Sequence, residues 1–177
     1  MTLKLKLNSN KQRAFTLVEV MVAMVIFSIG LLGLAGLQSL GITNNQTAFN
    51  RTIAIQQAYN MSDRMRDNKV GVDAFNYDAL GTITPGLVTN CLLAVCTAGQ
   101  LATFDHFEWN TNNSTQLPQG RGSVTLVSRT PSNTQLRVCI MWNELKLPGL
   151  PAAPDCSGVA AYDPTTQFKF YSLLVDL

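Results

Sequence analysis

Phe15-Thr16-Leu17-Val18-Glu19-Val20-Met21 opens the stretch FTLVEVMVAMVIFSIGLLGLAGL, residues 15–37, in which Glu19 is the only charged residue and Thr16 and Ser28 are the only other clearly polar ones. As a helix rising about 1.5 Å per residue it extends roughly 35 Å, enough for a hydrocarbon core of about 30 Å. An ordinary secretory signal has a shorter apolar run and a small-residue cleavage site beyond it; this run is too long and is followed by no convincing site of that kind. A plain single-pass anchor fits the length but leaves Glu19 unexplained. A charge at the bilayer centre costs on the order of 2.5–3.5 kcal/mol, so an anchor gains nothing from it unless it rests at headgroup level.

Working outward from this stretch, Lys4, Lys6, Lys11 and Arg13 precede residue 15 and no acidic residue does. This asymmetry orients the segment, with the basic end held on the cytoplasmic side. Those four are part of 13 Lys and Arg, leaving nine against 11 acidic residues in the remainder. A mildly acidic remainder does not suit a general nucleic-acid binder, and no specific nucleic-acid binding is expected. Charged residues make up 14% of the chain, well below the roughly 25% of ordinary soluble proteins, as expected if part of the chain avoids water.

The run Arg13-Ala14-Phe15-Thr16-Leu17-Val18-Glu19 resembles the class III signal of type IV prepilins: a short basic leader, a small residue, Phe, and Glu at the fifth mature position. Ala14 stands where that family usually has Gly. The resemblance implies that a prepilin peptidase cuts between Ala14 and Phe15 and methylates the new amino group of Phe15. It also implies that Glu19 meets the amino-terminal charge of a neighbouring subunit. Two charges among bundled apolar helices would each be costly alone, and pairing offsets that cost. Gly30-Leu31-Leu32-Gly33-Leu34-Ala35-Gly36-Leu37-Gln38, then Asn44-Asn45-Gln46 and Ser62-Asp63-Arg64-Met65-Arg66-Asp67-Asn68, are similar to PilV-type minor pilins. Asp105, Trp109 and Leu117-Pro118-x-Gly120-x-Gly122 extend that likeness. Gly30, Gly33 and Gly36 read either as a soft segment or as small residues packing against neighbouring helices.

Beyond the membrane segment, Phe49, Ile53, Gln56, Tyr59 and Met65 recur near helical spacing, which predicts that the helix continues and lays this face on a globular body. The cluster Asp63, Arg64, Arg66, Asp67 reads as a solvated face, with Asn68 and Gly71 as terminators. Residues 70–96 read as loop-rich. Thr97-Ala98-Gly99-Gln100 fits a capping box opening a short helix to about Trp109, with Leu101, Phe104 and Phe107 on one side and Trp109 a core residue. Gly122–Arg129 and Gln135–Trp142 alternate as strands around the turn Pro131-Ser132-Asn133, a hairpin. A Pro- and Gly-rich loop covers Leu147–Pro164. Gln167–Val175 supplies a last strand with Phe168 and Phe170 facing one way.

Cys91, Cys96, Cys139 and Cys156 permit three pairings. Cys91 with Cys96 and Cys139 with Cys156 are favoured because each closes a short loop containing turn formers. No C-x-x-C spacing, H-E-x-x-H, G-x-S-x-G or G-K-[ST] is present, so no metal, cofactor or catalytic centre is expected. His106, the single histidine, reads as a surface or half-buried helix residue.

The expected fold is thus α+β, a type IV pilin fold with a long N-terminal helix on a small antiparallel sheet. The expected organisation is a leader at 1–14, a transmembrane and filament-core helix at 15–37, an amphipathic continuation at 38–68 and a globular domain at 69–177. The expected protein is not an enzyme but a minor pilin of the type IV pilus, supporting adhesion, twitching motility or DNA uptake. Its partners would be major and minor pilins, the prepilin peptidase and the inner-membrane assembly platform. It would begin as a single-pass inner-membrane precursor with its C-terminal domain in the periplasm and end on the pilus at the cell surface. A minor pseudopilin of type II secretion is the alternative, and a membrane-tethered enzyme or binding domain a more distant one.

Overall fold

The computed structural model describes residues 16–86, 89–143, 156 and 168–177. The leader with Lys4, Lys6, Lys11 and Arg13, the Ala14–Phe15 junction, and nearly all of the 147–164 loop lie outside the described residues. In chain order the elements are α1 (Leu17–Asp67), α2 (Lys69–Asp73), β1 (Ala79–Leu80), α3 (Ala98–Gln116), β2 (Arg121–Thr130), β3 (Asn133–Trp142) and β4 (Lys169–Asp176). The chain divides into two units, Met1–Asn45 and Gln46–Leu177. The architecture is α+β, with a long N-terminal apolar helix and a four-stranded antiparallel sheet of order β1-β2-β3-β4.

In the second unit, α1 buries Asn50, Ala54, Gln57, Ala58, Met61, Ser62 and Met65. This face is rotated from the expected one: Met65 is buried and Ile53 half-buried, but Phe49 and Tyr59 are 58% and 51% exposed and Gln56 is also exposed. Size explains the difference, because Ala54 and Ala58 let the helix come close to large neighbours, and bulky residues there would hold it off. The core they join contains Trp109, Val124, Leu136, Val138, Ile140, Trp142 and Val175. The Trp109 indole N–H donates to the Gln57 carbonyl at 2.8 Å, satisfying the polar edge of a fully buried ring.

The capping box at Thr97 is formed in both directions, Gln100 N to Thr97 Oγ1 and Thr97 N to Gln100 Oε1. The helix it opens runs on to Gln116, seven residues past the expected end, and its buried face is Ala102, Phe104, Asp105, His106, Trp109, Asn110 and Asn113. Leu101 and Phe107 are only half-buried. Asn110 earns its interior place by exchanging hydrogen bonds with Gly122, donating to its carbonyl at 3.2 Å and accepting from its N–H at 2.7 Å. A Cβ on Gly122 would collide with the Trp109 ring, so the absence of a side chain sets how closely β2 approaches α3.

The hairpin turns at Pro131-Ser132, and an irregularity between Leu126 and Ser128 shifts the β2–β3 register. Val124 is fully buried while Leu126, two residues on, is 40% exposed. The expected alternation on β2 therefore ends at the bulge. On β3, Leu136, Val138, Ile140 and Trp142 all face the core. Phe168 and Phe170 belong to a second cluster with Cys139, Met141 and Cys156. Cys91 is bonded to Cys96 and Cys139 to Cys156, with Cα separations of 5.5 and 6.2 Å.

Candidate functional site

The first unit presents the chemistry that sequence singles out. Thr16 Oγ1 accepts from Glu19 N at 3.3 Å, so Thr16 closes the N-terminal turn of α1 and Glu19 stands at its third position. The partial positive charge of a helix N-terminus favours a carboxylate there. Glu19 is the only charged residue between 16 and 50. Every residue from 16 to 46 is exposed, and the large apolar side chains from Leu17 to Ile42 are 46–77% exposed. A helical stretch that is apolar all round and this exposed is suited to apolar surroundings.

Two hydroxyls in this helix are already matched to such surroundings. Ser28 donates to the Met24 carbonyl at 2.7 Å and Thr43 to the Ser39 carbonyl at 3.1 Å, so neither needs water. At Gly30, Gly33 and Gly36 an added Cβ would meet nothing within 4 Å. Among the described residues no packing constraint requires glycine at these positions.

The second unit holds a buried polar network that local sequence did not disclose. One Arg64 nitrogen, Nη1, donates to Asp105 Oδ1 at 2.9 Å and to Glu108 Oε2 at 3.0 Å. The Tyr77 hydroxyl donates to Asp105 Oδ2 at 2.5 Å, and Asn68 Nδ2 donates to that hydroxyl at 3.0 Å and to the Ala98 carbonyl at 2.8 Å. Burial, followed by the hydrogen bond to Asp105, raises the Tyr77 pKa well above its ordinary value. The network ties the end of α1 to α2 and α3. Arg64 is consequently not part of a solvated face, a reading that does hold for the exposed pair Arg66–Asp63. Asn68 does terminate α1, and it also accepts from Gly71 N as the cap of α2.

His106 is buried, at 6% exposure, with Nε2 2.8 Å from the Gly81 carbonyl. That corrects the surface or half-buried placement: the ring lies on the buried face of α3, where the Gly81 carbonyl just after β1 supplies a polar partner. Burial lowers its pKa from the ordinary value. Arg129 makes a second clamp, 2.6 Å from Asp78 Oδ1 and 4.5 Å above the Phe75 ring.

Glu19 falls in the first unit and the four cysteines in the second. The disulfides lie in the body, while the exposed apolar stretch with its single carboxylate lies in the first unit. Residues 9–35 match the family model of the prokaryotic N-terminal methylation motif. The chain carries a type IV prepilin-like signal. No match is found among curated proteins or among solved structures. The pilin-like assignment thus rests on the motif, with the α+β architecture in agreement. The motif and the one described helix long and apolar enough to cross a membrane agree with membrane anchoring.

Proposed function

We propose that this pilin-like chain is a PilV-type minor pilin that joins or primes a type IV pilus, supporting adhesion, twitching motility or DNA uptake. The observation that carries the reading is a lone carboxylate, Glu19, in the first turn of α1, whose apolar residues up to 46 are exposed. Prepilin peptidase removes residues 1–14 and methylates Phe15. Residues 15–37 hold the precursor in the inner membrane and later enter the filament core, residues 38–68 continue the helix, and residues 69–177 form the body, first periplasmic and then on the filament surface. Glu19 neutralises the amino-terminal charge of a neighbouring subunit, which offsets the cost of holding either charge among apolar helices and fixes axial register.

Mass spectrometry of sheared pili tests this directly. A mature chain beginning at methylated Phe15 is expected there, and Glu19→Ala is expected to leave insertion and cleavage intact while depleting the chain from pili. Normal recovery of the variant in pili would remove Glu19 from assembly. Presence of the processed chain in the inner membrane together with absence from pili would favour the pseudopilin of type II secretion, which shares leader and helix. An intact Ala14–Phe15 bond in working protein would sink both readings.

A further inference from the structure

The second unit carries an apolar tip that neither the core nor the assembly helix uses. Between Cys91 and Cys96 the sequence is Leu92-Leu93-Ala94-Val95, closed into a small ring by the disulfide. Leu92, Leu93 and Val95 are 75%, 86% and 101% exposed. Aliphatic side chains this open on a convex turn form no face against which a rigid partner would match.

Two further observations say what surroundings suit the tip. The backbone N–H groups of Leu92, Leu93 and Ala94 are satisfied within the loop: the first donates to Asn90 Oδ1 at 2.9 Å, the other two to the Asn90 carbonyl at 3.1 Å each. Donors bound internally lose little on leaving water, whereas free ones would resist it. The sequence from Ala79 through Phe104 also contains no charged residue. The segment that carries the tip therefore brings no ion of its own that an apolar phase must desolvate.

The geometry points to a lipid bilayer as the occupant: Leu92, Leu93 and Val95 insert into the acyl region of a membrane, with Asn90 and the Cys91–Cys96 ring supporting the turn. A fluid hydrocarbon phase accommodates exposed aliphatic side chains without shape complementarity, and the N–H groups of Leu92, Leu93 and Ala94 keep their bonds to Asn90 when those side chains insert. The ring limits the loop's freedom before insertion, so less order is lost on binding. With no cation in the stretch, binding should depend neither on anionic lipid nor on salt.

The test holds the full chain in nanodiscs, where the disc bilayer occupies the N-terminal helix, and adds separate phosphatidylcholine vesicles. Co-flotation with the vesicles is expected, unchanged by anionic lipid or 0.5 M salt on the order of physiological excess, and reduced at least about tenfold by the double change Leu92→Ser with Leu93→Ser. These side chains are exposed, so the variant should keep the parent's thermal midpoint. In Leu93→Trp, emission should be quenched by vesicle lipids brominated on the acyl chain, above the signal from the buried Trp109 and Trp142. Absence of flotation, flotation equal in parent and variant, or binding only to anionic vesicles would each overturn the proposal. So would vesicle-independent pairing of discs that the double change abolishes, which would make the tip a contact between copies. Filament incorporation does not enter any of these readouts.

Discussion

Arg64 serves two carboxylates through a single nitrogen, and Asp105 beside it has a side chain only 7% exposed. Removing the guanidinium leaves that carboxylate buried with the Tyr77 hydroxyl and no cation. Arg64→Ala should destabilise the body by about 3 kcal/mol, the lower end for breaking a buried pair because Arg64 is itself partly solvated. Arg66→Ala, losing only an exposed i,i+3 partner, should change stability by less than about 0.5 kcal/mol. Chemical denaturation of the two variants side by side checks the contrast. Their sequence neighbourhood gives no means of telling the two arginines apart. Both lie among Asp63, Asp67 and Asn68, and the partners that distinguish Arg64 are 41 and 44 residues away. Glu19 is the opposite case, because its singularity within an apolar run is visible before any fold is known.

The long helix shows the same division between what a period reveals and what packing decides. The apolar character of its first half was legible from composition, but the contact face of its second half was not. Apolar bulk at Phe49 and Tyr59 suggested one side, whereas the buried side is defined by Ala54 and Ala58, whose small volume is their contribution. Ala58→Leu should overpack the core and cost about 1–3 kcal/mol, while Tyr59→Ala should stay within about 0.5 kcal/mol; thermal melts of both would reverse in rank if the expected face were the true one. Helix α3 announced its start through Thr97 and Gln100, since a capping box is local chemistry. Its end was hidden because the interior positions beyond Trp109 are Asn110 and Asn113. Polar residues that hydrogen-bond inside a core erase the hydrophobic period on which a sequence reading depends.

The body as a unit should be sensitive to mild acid. The unfolded chain takes up a proton at His106 near the ordinary 6.5, whereas burial holds the folded imidazole neutral to lower pH. The stability associated with the neutral ring is therefore fully present above about 6.5 and is lost as pH falls through the folded value. The thermal midpoint should drop between pH 7 and pH 5, and His106→Gln should flatten that drop; an equally steep fall in the variant would place the acid sensitivity elsewhere. Strand neighbours in this body are also chain neighbours, in the order β1-β2-β3-β4. Such an arrangement needs no strand to be threaded between two already placed. The β2–β3 hairpin, joined by Pro131-Ser132, can close within microseconds of becoming available, and β4 then has a ready template along β3. The sheet can be laid down in the direction the polypeptide is synthesised, and the last strand to arrive completes it.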